Sequence, residues 1–237
     1  MTENLYFRQL LAGRDFARTN LIAAQMVNFV YLIGDRQTGE CLIVDPAWDV
    51  HGLINIAEAD GLKIVGALAT HYHPDHVGGG FMGFGIEGVA ALLERTAVKV
   101  YVHRQEASGL KKITGLSDSD LVRCESGDVL PVGEQRIEFI HTPGHTPGSQ
   151  CFLVNGERLV SGDTLFINGC GRVDLPGSDP EKMYESLTQK LAKLPDETIL
   201  YPGHDYADRP TSTIGAEKQS NYYLRLSSLD QWLNLMG

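Results

Sequence analysis

The sequence has no apolar stretch near the roughly 18 residues that crossing a bilayer requires. Its N-terminus also lacks the basic-then-apolar pattern of a secretory signal. Together these absences lead to the expectation of a cytoplasmic chain with no membrane partner. Basic residues are scarce: 20 Lys and Arg face 30 Asp and Glu, a formal net charge of −10. Binding to a phosphate backbone depends on clustered cations, so nucleic acid is not the expected partner. A small anionic substrate stays open, because it responds to the local field. Cysteine is sparse as well. Cys41, Cys124, Cys151 and Cys170 are dispersed and form no CxxC pair, which suits free thiols in a reducing compartment. No low-complexity linker and no long block of like charge interrupts the 237 residues. One domain over 1–237 is expected, a length that holds a full core, and self-association into a homo-oligomer is compatible with it.

What is present is a series of short apolar runs. Residues 42–44, 63–69, 98–102, 136–140, 151–154, 158–160 and 198–201 read as strands. Residues 50–59 carry apolar positions at helical spacing and stop near Gly61. Residues 180–194 give the clearest helix: Asp179 can cap it, Pro180 suits its first turn, and Met183, Leu187, Leu191 and Leu194 share a face. Strands lead each half and helices intervene. The expected fold is α/β, with two sheets packed together and helices outside.

The chemistry is concentrated at strand ends. The run 63–69 leads into His71-Tyr72-His73-Pro74-Asp75-His76, four potential ligands within six residues. Imidazole nitrogen and carboxylate oxygen suit zinc, iron or manganese. Three later strands repeat the arrangement, ending at His145, Asp163 and His204, each preceded by a glycine that permits a tight turn. A lone histidine at a strand end is usually structural; four such clusters in order point to a metal site. His51 and His103 stand alone and read as surface or cap residues, and His141 as a structural neighbour of His145.

This series resembles the metallo-β-lactamase superfamily, whose HxHxDH motif stands here as His71-x-His73-x-Asp75-His76. The resemblance spans about residues 20–205. It implies an αββα sandwich of two mixed sheets, with His71, His73 and His145 on one metal, Asp75, His76 and His204 on a second, and Asp163 bridging. Two divalent ions, zinc foremost and iron or manganese as alternatives, would lower the pKa of a shared water, with Asp75 orienting it or moving its proton.

Two branches of the superfamily compete. The HTPGHTPG segment at 141–148 and the full set of seven ligands are similar to glyoxalase II, a thioester hydrolase. The stretch Tyr201-Pro202-Gly203-His204-Asp205-Tyr206, followed by Ser212-Thr213-Ile214-Gly215 and Glu217-Lys218, is similar to persulfide dioxygenases, which would hold one Fe(II) on His71, His145 and Asp163. Gly169-Cys170-Gly171-Arg172 resembles both. Arg172 could grip a substrate carboxylate or tie loops together through Asp174 or Asp179. A glycine-rich stretch with Phe81, Met82 and Phe84 reads as an apolar lid, within an insertion near 78–97, or as a packed surface insertion. Tyr206 is a further candidate for substrate contact. The short tail 207–237 is expected to be helical. The leading expectation is hydrolysis of a small thioester or ester, such as a glutathione conjugate; persulfide oxidation comes second, and a lactone is a further candidate. A scaffold that had lost catalysis would normally have lost ligands too.

Overall fold

The computed structural model describes residues 4–81 and 83–236. The Phe81 side chain and Met82, both read above as part of a lid, lie outside the described residues. The first half runs β1 (Leu5–Leu11), α1 (Leu21–Met26), β2 (Phe29–Asp35), β3 (Glu40–Val44), α2 (Val50–Ala59), β4 (Lys63–Leu68) and α3 (Pro74–Val77). It continues through a small hairpin, β5 (Gly79–Phe81) and β6 (Phe84–Ile86), then α4 (Val89–Arg95), β7 (Val100–His103), α5 (Ala107–Thr114) and β8 (Leu121–Cys124). The second half contains β9 (Val129–Val132), β10 (Gln135–His141), β11 (Gln150–Val154), β12 (Arg158–Gly162), β13 (Leu165–Phe166) and β14 (Gly169–Cys170). It closes with α6 (Pro180–Glu185), β15 (Ile199–Pro202), β16 (Ser212–Thr213), α7 (Ile214–Ser220) and α8 (Leu229–Met236).

Two six-stranded sheets result, in the orders β1-β2-β3-β4-β7-β8 and β16-β15-β12-β11-β10-β9. Both are mixed: β3, β4, β7 and β8 run parallel, as do β12 and β15, and the remaining pairs are antiparallel. The two-residue period of a strand sorts the side chains into layers. On β2, Phe29, Tyr31 and Ile33 join Phe139, Phe152 and Val160 of the other sheet in the central layer. Val30 and Leu32 face the opposite way and pack with Leu53, Ala57, Val89, Leu92 and Leu110 of the helices. Behind the second sheet, Leu153, Leu159 and Leu200 meet Met183, Leu187, Leu191, Ile214 and Trp232. Helix, sheet, sheet, helix is the αββα order expected.

Three local readings change. The helix expected over 180–194 starts as an α-helix capped by Asp179, passes into wider π-type turns at Ser186–Lys190, and tightens at Leu191–Lys193. The insertion is anchored: Ile86, Val89 and Leu92 are buried in the helix-side core, and Phe84 packs partly against it. His103 is buried and its ring stacks on His141 at 3.8 Å, so it is no surface residue. Among the described residues no helix is long and apolar enough to cross a membrane.

Candidate metal centre

The two sheets end together at one edge, and the strand ends there deliver the donors. β4 runs out into His71; His73 precedes α3, and Pro74 at its first turn places Asp75 and His76 on that single helical turn. His145 sits in the loop between β10 and β11. Asp163 and His204 follow β12 and β15, parallel neighbours paired at Gly162 and Pro202, which sets the two side chains beside each other. Residues up to 133 positions apart in sequence thus share one cage.

The cage has two halves. Ligand atoms of His71, His73 and His145 lie within 4.8 Å of one another, and so do those of Asp75, His76 and His204. In the first, His73 Nδ1 stands 3.1 Å from His71 Nε2 and 3.0 Å from His145 Nε2. In the second, His76 Nε2 and His204 Nε2 are 3.2 Å apart, with Asp75 Oδ2 3.4 and 3.5 Å from them. Asp163 touches both halves: Oδ2 is 3.7 Å from His145 Nε2 and 3.4 Å from His204 Nε2, and Oδ1 is 3.3 Å from His76 Nε2.

Outer partners fix the rings. His145 Nδ1–H donates to the Arg172 carbonyl, His204 Nδ1–H to the Met26 carbonyl and His76 Nδ1–H to Asp45 Oδ2, each at 2.8 Å. Each of these acceptors can only accept, so in the neutral ring the inward Nε2 atom is the one without a proton, the tautomer that metal binding needs. Asp45 is held in turn by the Thr70 N–H and hydroxyl at 2.7 and 2.6 Å.

Electrostatics divides the cage. Burial, reinforced by neighbouring imidazoles, pushes His71 well below the usual histidine range and His73 down to about 4, so both are neutral. Burial acts the same way on His76 and His204, but the carboxylates of Asp163 and Asp75 outweigh it and raise both. Asp163 is depressed although burial opposes it, chiefly by the charges of His204 and His76. Its buried Oδ1 receives no hydrogen bond. A buried carboxylate oxygen without a donor, among imidazole nitrogens that can give up their protons to a metal, is the environment a divalent cation satisfies, and the nitrogen and oxygen donor set suits zinc or iron. The residues fit a metal.

The expected substrate contacts are unevenly placed. Tyr206 stacks on His204, with ring centroids 4.7 Å apart and planes 6° from parallel, and is exposed. It lines a cleft of about 550 Å³ with Phe166, Cys170, Arg172 and Asp208. The Arg172 guanidinium is exposed and bidentate on Asp174, two residues along the same turn, at 2.9 and 2.8 Å. Phe84 packs on the helix-side core. Sequence reasoning missed Asp45, Asn28 and Glu106. Asp45-Pro46 at the end of a buried strand was a signal for the first; Asn28 and Glu106 gave none.

Facing sheets with a His/Asp cage at their shared edge define a metal-binding αββα fold. The chain belongs to the metallo-β-lactamase superfamily, whose model matches residues 25–204. It is 31% identical to human mitochondrial persulfide dioxygenase ETHE1, over 97% of this chain and 86% of that protein. It is 34% identical to a hydroxyacylglutathione hydrolase of Polaromonas, over 85% of this chain and 82% of that one. Among solved structures it resembles TTHA1623 in a di-iron-bound form, with a TM-score of 0.68 and 31% identity, covering 84% of this chain and 96% of that one.

Proposed function

We propose that this protein is a dinuclear metallohydrolase that cleaves a thioester or ester bond in a small molecule. The observation that carries the reading is the doubled cage: two complete donor triads with Asp163 within reach of both. His71, His73 and His145 would hold the first ion and Asp75, His76 and His204 the second, with Asp163 within reach of both; zinc is the leading candidate. The di-iron form of TTHA1623 supports a two-metal reading on the same fold.

When bound, two such ions lower the pKa of a water toward neutrality and polarise the scissile carbonyl. The chain supplies the remainder. Asp75, at the edge of the cage, orients that water and accepts its proton at the carboxylate. Burial of the ring cage keeps bulk water from competing for the donors. The cleft walled by Phe166 and Tyr206 receives the substrate beside His204. A thiolate departs without needing a proton, so a thioester demands less of the site than an ester does, and glutathione conjugates are the first class to try.

A second reading, Fe(II)-dependent persulfide oxidation on His71, His145 and Asp163, is favoured by the near full-length match to human ETHE1. One experiment separates them. Purified protein is given S-lactoylglutathione with thiol release followed, and glutathione persulfide with oxygen uptake followed. Thiol release without oxygen uptake is expected. Oxygen uptake with one iron per chain overturns the hydrolase reading.

A further inference from the structure

Asn28 was not anticipated as part of the site, and its surroundings are specific. It precedes β2, is 1% exposed, and forms an isolated antiparallel bridge with His204. The turn that carries it is laced to the His204 strand. The Phe29 N–H donates to the Gly203 carbonyl at 2.8 Å and the Asp205 N–H to the Val27 carbonyl at 2.9 Å. The side chain is therefore held beside the second half of the cage.

Its orientation is determined by Trp48. The indole Nε1–H, a donor only, meets Asn28 Oδ1 at 3.0 Å, which turns the amide NH₂ toward the cage. There Nδ2 lies 3.0 Å from Asp75 Oδ2, 3.4 Å from His76 Nε2 and 3.5 Å from His204 Nε2. Only the first is at a good hydrogen-bond distance, and its carboxylate oxygen is an acceptor. Trp48 is itself unusual. It is 6% exposed and adopts a left-handed φ of +77°, a conformation that bulky residues rarely take and that the fold must hold in place. The left-handed backbone and the hydrogen bond are separate observations at one residue, and the hydrogen bond presents the indole to Asn28.

We infer that Asn28 is a positioning residue for the second metal: it fixes the Asp75 carboxylate, and Trp48 fixes Asn28. The chain Trp48–Asn28–Asp75 is the outer support of the second donor triad, as Asp45 is for His76. It also makes Trp48 an optical reporter of that triad. The inference rests on the reading that Asp75, His76 and His204 hold a metal.

The test uses zinc and two substitutions. Asn28→Leu keeps the approximate volume and removes the donor; Trp48→Phe removes only the indole N–H and part of the ring. Zinc affinity is measured at each half by competition with a chromophoric chelator. In parallel, Trp48 emission is followed in a Trp232→Phe background, since the chain has two tryptophans. The expected result for Asn28→Leu is a second zinc weakened 10- to 100-fold with the first unchanged, the usual effect of losing an outer partner. Trp48→Phe should weaken the same zinc, by less. Trp48 emission should change as the second zinc binds, and that change should vanish in Asn28→Leu. Two zinc ions bound with wild-type affinity in both variants overturn the inference. If Asn28→Leu does not fold, Trp48→Phe and the emission titration decide it alone. A wild-type protein that binds a single zinc would instead refute the dinuclear reading, which is a distinguishable failure.

Discussion

Asp163 is held in place by what its neighbours lack. A Cβ added at Gly203 would lie 2.4 Å from Asp163 Oδ1, and one at Gly171 would lie 1.8 Å from the Asp163 carbonyl. The first contact would displace the carboxylate and the second the main chain that carries it. Gly203→Ala should therefore lower thiol release by about two orders of magnitude, the cost of misplacing a reacting group by about an ångström. Its far-UV circular dichroism should match wild type; an unchanged rate would show that Asp163 does not need this placement. At this scale the sequence was readable for the donors, because imidazoles and carboxylates at strand ends have few other uses in that density. It was not readable for their supports. Asn28 and Glu106 are ordinary residue types, and they gain meaning only from contacts to residues 47 and 40 positions away, Asp75 and Thr146.

Loops and helices show how the cage is assembled. Glu106, at the start of α5, is fully buried and accepts three hydrogen bonds: from the Tyr72 N–H at 2.9 Å, the Thr146 hydroxyl at 2.7 Å and the Gly148 N–H at 2.6 Å. It ties the His71–His73 turn to the His145 loop. Burial raises its pKa even though those three donors act to lower it. Glu106→Ala leaves the donors unpaired and should weaken metal at the first half by 10- to 100-fold in a chelator competition. Glu106→Gln keeps an accepting oxygen and should lose less; equal losses would argue against the clamp. The C-terminal tail plays a similar part for the cleft. Glu217 on α7 accepts from the Asn168 N–H at 2.7 Å and from Asn221 Nδ2 at 3.0 Å, and Asn221 also donates to the Phe166 and Gly169 carbonyls. Glu217→Ala should raise KM for the thioester roughly tenfold, the worth of about one charge-assisted hydrogen bond, with kcat changing little; a fall in kcat alone would contradict this. The sequence marked this tail by resemblance, but the reason for it, support of the Phe166–Cys170 turn, needed the fold. Elements with long period-2 or helical patterns were legible. The short hairpin at Gly79–Ile86 and the π-type turns at Ser186–Lys190 were not, because a few residues carry too little periodicity to read.

The whole molecule separates stability from chemistry. At the end of β2 remote from Asn28, Asp35 joins the two sheets. Its carboxylate accepts from the Gln135 side chain and the Glu134 N–H, both at 2.8 Å, and from the Gln37 N–H at 2.8 Å in its own turn. The Gln135 amide and these backbone donors hold its pKa below the usual carboxylate value. A carboxyl depressed by folding stabilises the protein above its unfolded pKa of about 3.9 and stops doing so as pH falls through the lower folded value. Asp35→Asn should thus lower stability by about 1–3 kcal/mol at neutral pH, with metal content unchanged. The gap in thermal midpoint between the two proteins should hold from pH 7 to about 4 and narrow below it. A gap that widened in acid would contradict the assignment. The layered architecture was legible because alternating strands and one-faced helices have few ways to bury their apolar sides. The meeting of four distant loops could only be inferred from their repeated strand-then-ligand pattern.

Whether that meeting holds two ions can be measured directly by anomalous diffraction from a crystal of the metal-replete protein. Two peaks about 3.5–4 Å apart are expected, one among His71, His73 and His145, the other among Asp75, His76 and His204, with Asp163 between them. A single peak on His71, His145 and Asp163, with Asp75, His76 and His204 bound to nothing but one another and Asn28, would contradict the dinuclear centre.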